Sequence, residues 1–587
     1  MPQTSRRLML KALAAAGIGH TVFARALAAQ AAAADSVVTP EMIRQAAWIA
    51  GIDFTEDERK LMATGVAGMI DSFEQIRKVE LDNSVAPAIR FDAMPAQGIQ
   101  PPDTPGRSVR DRMLCVLASQ APPDSALSLA FSDIASLASA LRTGVVSAER
   151  LTRLALDRLA AFDPVLACVI SRLEARALEQ AARADDELAA GRDRGPLHGI
   201  PWGAKDLLAV RGARTTWGAK PFEQQVIDDT ATVAERLEAA GAPLVAKLSL
   251  GALAWGDVWF GGQTKNPWKP TQGSSGSSAG PAAAVAAGLV PFALGTETLG
   301  SIVSPSTRCG TSGLRPTFGR VSRHGAMALS WSMDKIGPIA RSVADCALVL
   351  DKIHGADGRD ATAVDRPFVW PFDGDPQALR VGYVPALFER DRGAEIEDEA
   401  RAANARAWQA QDLAVLDTLR TLGFTLHPIT LPDSYPLGAL RFILTAEAAC
   451  AFDALTRSGR DEQLVRQIER AWPNVFRQGQ LIPAVEYLRA NRIRSLLMRD
   501  MQGIFEQVEV YVTPTFAGSN LLLTNLTGHP QAVVPDGFRA DGTPFSITFT
   551  GDLFGESALC AVAHAFQQAT DFHRRRPPLA DAPRPAV

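Results

Sequence analysis

The sequence predicts an α/β protein with a largely buried mixed sheet, preceded by a small helical segment. From about residue 126 to residue 577, short apolar segments such as PLVAKL, LRVGYVP and FSITFTG alternate with helical patterns such as SVADCALVLDKIHG. Strands separated by helical stretches are typical of α/β domains. The chain has 587 residues, 47% hydrophobic and 21% charged, which is enough for one large core or two or three smaller ones.

The N-terminus predicts an export signal. Arg6 and Arg7 precede a weakly hydrophobic, Ala-rich stretch, and small residues around Ala28 to Ala34 resemble a cleavage region. The alternative is an ordinary amphipathic helix. Because His20 interrupts the stretch, we expect no retained membrane span. Residues 1–34 are therefore predicted to be a twin-arginine signal peptide, and the mature protein to be periplasmic or secreted.

The remaining chain divides by composition. Residues 35–92 predict a helical segment, whose apolar residues recur at helical spacing: Leu61, Val66, Met69, Ile70, Phe73 and Ile76. Residues 93–125, rich in Pro, Gly and Asp, predict a linker, residues 126–577 the main domain, and residues 578–587 a tail.

Charge and cysteine usage exclude several functions. The formal net charge of −4 gives no basic field, so we expect a small-molecule substrate and no nucleic acid. The six cysteines are far apart without CxxC pairs or nearby histidines, so we expect isolated buried thiols and no metal site, with one long-range disulfide left open.

The motifs favour a serine nucleophile with a lysine base. The sequence has no GxxxxGK[ST], HExxH or GxSxG motif, no GxGxxG follows a strand, and the eight histidines are scattered singly. A desolvated lysine is then the remaining strong base near neutral pH. Lys205, in HGIPWGAKDLLAV, lies where its amine could be buried, although a surface pair with Asp206 is the plainer alternative.

A turn further along could stabilise an oxyanion. In GTETLGSIVSPS, Ser301 follows an apolar strand, and the backbone N–H groups of Thr298, Leu299, Gly300 and Ser301 could converge on one oxygen. Upstream, QGSSGSSAG supplies a second hydroxyl that could relay a proton, and PAAAVAAGL a helix to anchor that loop.

Together these motifs resemble the amidase signature family, serine hydrolases with a Ser-(cis-Ser)-Lys triad. The resemblance extends from LHGIPWGAKD and NPWKP, through GSSGSSAGPAAAVAAGLVPFALGTETLGSIVSPSTRCG, to MDKIGPIARSVAD, YVTPT and NLTGHPQAVVPDGF. It covers about residues 126–577. It implies the amidase signature fold, a central mixed β-sheet covered by helices on both faces, and no metal or organic cofactor.

The resemblance also implies roles for individual residues. Ser301 resembles the nucleophile and Lys205 the base. The family's cis-serine stands 24 residues before the nucleophile, which places it at Ser277. A cis peptide is then implied between Gly276 and Ser277, and Ser278 is implied to support the lysine by hydrogen bonding.

Two departures from the family affect the prediction. Leu299 and Gly300 replace the usual Gly-Gly before the nucleophile. This change restricts the backbone conformations of the turn but keeps its N–H donors. Val303 stands where many members have an arginine that can bind a substrate carboxylate. We therefore expect an uncharged or apolar acyl group.

The helical segment resembles a second protein. Its stretch FTEDERKLMATGVAGMIDSFEQIRKVELDNSVAP is similar to the small C subunit of tRNA-dependent amidotransferase, with a generic helical hairpin as the alternative. The resemblance implies that the segment braces the main domain.

The main functional prediction is an exported amidase. It would hydrolyse a non-peptide or terminal carboxylic amide to an acid plus ammonia or an amine, through a serine acyl-enzyme. The alternatives are a non-catalytic amidase-like scaffold and a glutamine-hydrolysing amidotransferase A-type subunit. The export signal and Val303 favour the exported amidase over the amidotransferase, because the tRNA partner of an amidotransferase is cytoplasmic.

Overall fold

The computed structural model describes residues 38–82, 84–89 and 125–581. The predicted signal peptide and nearly all of the predicted linker lie outside these residues, as do residues 582–587. The helices are α1 (Pro40–Ala50), α2 (Glu56–Arg77), α3 (Ala126–Phe131), α4 (Ile134–Arg142), α5 (Ala148–Leu166), α6 (Glu174–Ala189), α7 (Thr232–Ala239), α8 (Ala279–Ala286), α9 (Val303–Cys309), α10 (Val343–Ile353), α11 (Pro385–Glu389), α12 (Glu399–Thr421), α13 (Phe442–Ala451), α14 (Asp453–Arg457), α15 (Trp472–Gly479), α16 (Ala484–Phe505), α17 (Asn520–Thr527) and α18 (Glu556–Ala569). The strands are β1 (Val169–Arg172), β2 (Trp202–Lys205), β3 (Leu244–Leu248), β4 (Val258–Trp259), β5 (Gly262–Gln263), β6 (Lys265–Asn266), β7 (Lys269–Gly273), β8 (Phe292–Glu297), β9 (Ser312–Arg315), β10 (Lys335–Ala340), β11 (Val381–Tyr383), β12 (Leu426–Pro428), β13 (Val510–Pro514), β14 (Gln531–Phe538) and β15 (Pro544–Gly551).

Eleven strands form one mixed sheet in the order β1-β3-β2-β8-β10-β9-β14-β15-β13-β11-β12. Strand β2 is parallel to both of its neighbours, β3 and β8, whereas β8 and β10 run antiparallel. Most strands are buried on both faces, as in the LVAKL segment of β3, because helices cover the sheet. The predicted α/β architecture with a central mixed sheet is confirmed.

Helix α2 explains how the N-terminal segment folds. Thr55 caps it, and Glu58 completes a capping box with the Thr55 backbone. Its buried face repeats at Met62, Val66, Met69, Phe73 and Ile76. Two other residues of the predicted apolar stripe, Leu61 and Ile70, lie outside this face and are 38% and 40% exposed.

The N-terminal segment packs on helices α13, α15 and α16 of the main domain. Phe73 contacts the Phe442 ring edge-on, with centroids 5.2 Å apart. Arg477 of α15 forms an ion pair with Glu58 at 2.8 Å. Beyond α2, the chain follows α16, where the Ala88 N–H donates to a backbone carbonyl at 3.0 Å. The segment therefore shares an apolar core with the main domain.

The described cysteines are free thiols. Four are buried, and Cys450 is exposed. Cys115 lies outside the described residues, so the long-range disulfide that the sequence left open stays untested.

Candidate active site

The Lys205 amine is fully buried at the end of β2. Its Nζ lies within hydrogen-bond distance of three hydroxyl oxygens, at 2.8 Å from Ser277 Oγ, 3.0 Å from Ser278 Oγ and 2.8 Å from Thr296 Oγ1. Burial lowers the pKa of the Lys205 ammonium well below its usual value, and the nearby carboxylate of Asp334 offsets this only in part. The lowered pKa favours the neutral amine, which is the form that can accept a proton.

The alternative of a surface pair between Lys205 and Asp206 is wrong. The Lys205 side chain is fully buried and therefore forms no surface pair. Asp206 is also buried, and it pairs with Lys247 of the adjacent strand at 2.7 Å.

The Gly/Ser loop that precedes α8 carries Ser277. The peptide bond between Gly276 and Ser277 is cis, as the family resemblance implied. A Cβ at Gly276 would lie 1.9 Å from the Gly256 carbonyl oxygen, so only glycine fits there. The Ser278 N–H donates to the carbonyl oxygen of Ser301 at 3.1 Å, which joins this loop to the predicted nucleophile.

Ser301 lies in the turn between β8 and α9 and is 8% exposed. Gly300 before it has a φ of 84°, a left-handed conformation that favours glycine. Within the described residues, the backbone N–H groups of Leu299, Gly300 and Ser301 donate to no protein acceptor. They are free to donate to the oxygen of a tetrahedral intermediate.

The turn is held by two carboxylates, of which Glu297 is fully buried and Asp334 partly buried. Glu297 accepts hydrogen bonds from the N–H groups of Ile302 and Val303, at 2.8 and 3.0 Å, and Arg315 donates to it at 2.7 Å. Burial alone would raise the pKa of Glu297, but Arg315 and the backbone donors outweigh it and lower the pKa to about 2.

The second carboxylate, Asp334, accepts from the Thr298 hydroxyl at 2.5 Å and from the Leu329 and Ser330 N–H groups. It therefore ties the turn to the loop before β10. Burial raises its pKa. Sequence reasoning missed Thr296, Glu297 and Asp334 as parts of the site, and the motifs GTETLG and MDKIGP were their only signal.

One cavity borders the turn, and a second borders the Gly/Ser loop and α9. One, of about 260 Å³, is lined by Thr296 and Thr298. The other, of about 660 Å³, is lined by Ser275 and Ser304, close in sequence to Ser277 and Ser301. A substrate in either cavity would lie near the segments that carry the buried lysine and the two serines.

Within residues 38–82, 84–89 and 125–581, no group of three or more His, Cys, Asp or Glu residues could hold a metal ion. None of the described helices is both long and apolar enough to span a membrane.

Comparisons with known proteins show the family to which the fold belongs. The Amidase family profile matches residues 150–524. The chain is 38% identical over 484 residues to the A subunit of glutamyl-tRNA(Gln) amidotransferase from Roseiflexus sp. (strain RS-1), covering 75% of this chain and 96% of that relative. Its counterpart in Methylococcus capsulatus (strain ATCC 33009 / NCIMB 11132 / Bath) is 34% identical over 490 residues, covering 76% and 98%. Among solved structures, the peptide amidase of Stenotrophomonas maltophilia is 29% identical with a TM-score of 0.66, covering 78% of this chain and 100% of that one.

These relatives overturn the main functional prediction. The sequence favoured an exported amidase for an uncharged amide over an amidotransferase A-type subunit, and that preference is wrong. It depended on one substituted position, Val303, and on a signal-like N-terminus, whereas the similarity to A subunits extends over most of the chain. The export signal itself falls on residues 1–34, outside the described residues, and stays a prediction.

Proposed function

Because the chain belongs to the amidase signature family, we propose that it hydrolyses glutamine as an amidotransferase A-type subunit. It would release ammonia for transfer to an acceptor held by a partner protein. The observation that carries the proposal is the 38% identity with an A subunit over 484 residues, which covers 96% of that relative.

The buried lysine and the serines supply the chemistry. Neutral Lys205 takes a proton from Ser301 through the Ser277 hydroxyl, and the Ser301 oxygen attacks the side-chain amide carbon of glutamine. The N–H groups of Leu299, Gly300 and Ser301 stabilise the oxyanion. The proton returns to the leaving nitrogen as the carbon–nitrogen bond breaks, so ammonia departs and a γ-glutamyl ester remains on Ser301. Water then hydrolyses the ester by the same relay.

The N-terminal segment supports an amidotransferase rather than a free-standing hydrolase. Its sequence resembles the C subunit of such an enzyme, and its helix α2 buries Met62 and Phe73 in a core shared with α13 and α16. We propose that the segment supplies within this chain what a separate small subunit supplies elsewhere.

The test is ammonia release by the full chain from glutamine and from a panel of uncharged aliphatic, aryl and peptide C-terminal amides. We expect release from glutamine that Ser301→Ala abolishes and that Ser458→Ala, the same change at an exposed serine, leaves intact. Release from the uncharged amides with none from glutamine would contradict the proposal. Silence on every amide would favour a non-catalytic scaffold.

A further inference from the structure

The larger cavity borders the helix that follows the predicted nucleophile. Ser304, Thr307 and Arg308 line it from α9, and positions i, i+3 and i+4 share one face of a helix. Ser275, two residues before Ser277, lines it from the Gly/Ser loop. The cavity is therefore continuous with the segments that carry both proposed catalytic serines.

Arg308 brings a free positive charge to this cavity. Its side chain is exposed and donates to the amide oxygen of Gln272 at 3.2 Å. Among the carboxylates of residues 38–82, 84–89 and 125–581, none lies within ion-pair distance of its guanidinium. The charge is thus available to a ligand.

Arg539, in the turn between β14 and β15, adds a second cation. Its guanidinium lies over the Trp408 ring, 4.8 Å from the centroid, and donates to the Thr543 hydroxyl at 3.3 Å. It too forms no ion pair with a described carboxylate. Arg308 and Arg539 line the same cavity. Burial lowers the pKa of Arg539, the positive charge of Arg308 lowers it further, and the carboxylates of Asp541 and Asp536 oppose this only in part.

The acidic residue that lines this cavity, Asp541, offsets the positive charge of Arg539 only in part. Asp541 is paired with Lys269 at 3.1 Å. The cavity therefore keeps an excess of positive charge beside a polar wall of serine and threonine hydroxyls. A bound anion would relieve the repulsion between the arginines.

Arg308 also lies within reach of the reacting amide. Helix α9 begins two residues after Ser301, and Arg308 lies five residues after the first residue of this helix, which is about 8 Å along the helix axis. Helical side chains point back toward the N-terminus. In extended glutamine the α-carboxylate is separated from the amide carbon by four bonds of about 1.5 Å each. A guanidinium directed back along α9 can meet that carboxylate while the amide carbon is at Ser301.

We propose that Arg308 and Arg539 form the subsite for the carboxylate of the amide substrate. The inference rests on the proposed function, because it names the part of glutamine that the cavity binds. Arginine suits this task, since its planar guanidinium can hold a carboxylate through two parallel hydrogen bonds. The subsite would take the place of the arginine that many family members have at the position of Val303. It would select amides that carry a carboxylate.

The test compares matched amides that differ by one charge. For the full chain, kcat and KM are measured with glutamine, with glutaramate and with glutaramide, in which a neutral amide replaces the carboxylate of glutaramate. We expect kcat/KM for the carboxylates to exceed that for glutaramide by about tenfold or more. Arg308→Gln should remove this preference mainly through KM, and Arg308→Lys should keep part of it. Arg401→Gln, the same change at an exposed arginine of α12, should keep all of it.

The results distinguish a failure of the proposed subsite from a failure of the proposed hydrolysis. Equal kcat/KM for glutaramate and glutaramide would overturn the subsite while leaving hydrolysis at Ser301 intact. If no amide is hydrolysed, calorimetric titration with glutarate tests the subsite alone: binding that Arg308→Gln abolishes and Arg401→Gln retains would support it. Absence of glutarate binding, or binding of inorganic phosphate instead, would overturn it.

Discussion

The strongest prediction at the site is that the buried carboxylate of Glu297 stabilises the folded protein. It neutralises Arg315 and anchors the first turn of α9 directly after the nucleophile. Replacing it by Glu297→Gln leaves the Arg315 guanidinium buried without a countercharge. Breaking a buried pair in this way costs about 3–5 kcal/mol.

The pKa of Glu297 gives a second measure of the same effect. Its pKa is lowered from 4.5 to about 2 in the folded protein, which corresponds to roughly 3 kcal/mol of stability. Because the folded pKa lies below the unfolded one, this contribution is present above pH 4.5 and is lost as the pH falls toward 2. The variant should therefore lose the part of the pH dependence that Glu297 causes.

Urea unfolding of the full chain at several pH values is the assay. We expect Glu297→Gln to lower the free energy of unfolding at pH 7 by about 3–5 kcal/mol. Adding Arg315→Met should recover part of that loss, since it removes the uncompensated charge. A loss below about 1 kcal/mol in Glu297→Gln would refute the reasoning. So would a double variant whose loss of stability is the full sum of both changes, with no recovery.

Three further predictions concern the base, the turn and the N-terminal segment. Lys205→Met should lower kcat/KM for the amide substrate by about 10²–10⁴. In the wild type, kcat/KM should rise as Lys205 loses its proton, at a pH well below the usual lysine pKa of 10.5. A rise centred on 10.5 would contradict a buried base. Gly300→Ala should cost about 1–2 kcal/mol in stability and lower kcat, because Gly300 has a φ of 84° and an added Cβ would lie 3.0 Å from a neighbouring hydroxyl. Unchanged stability and kcat would argue against a strained turn at this position. Met62→Ala should destabilise the protein by about 2–5 kcal/mol in urea unfolding, whereas Ile70→Ala on the half-exposed side of the same helix should change it by about 0.5 kcal/mol or less; equal effects would show that α2 does not share the core.

Local pattern predicted much of the fold. The apolar segment PLVAKL contains β3, and FSITFTG lies within β15, because short apolar runs with few polar interruptions are a property of buried strands. The stripe on α2 was predicted too broadly. Leu61 and Ile70 fit a loose spacing of three to five residues, but only positions that keep the 3.6-residue period reach the core.

The site was less accessible to sequence reasoning wherever its contacts cross the sheet. The order β2, β8, β10 brings Lys205, Thr296 and Asp334 together, although they are far apart in sequence. The pairing of Glu297 with Arg315 likewise depends on the folded position of β9. No local motif encodes these contacts, whereas the Ser277 and Ser301 segments carry a recognisable order of glycines and serines.

Mass analysis of the acyl-enzyme tests the central claim most directly. The full chain is mixed with glutamine, quenched with acid during turnover, and digested, and the peptide that contains Ser301 is weighed. We expect one γ-glutamyl group on Ser301 in the wild type and none in Lys205→Met under the same conditions, because the base is needed to form the ester. Ammonia release without an adduct on that peptide, or with an adduct at another residue, would contradict the account.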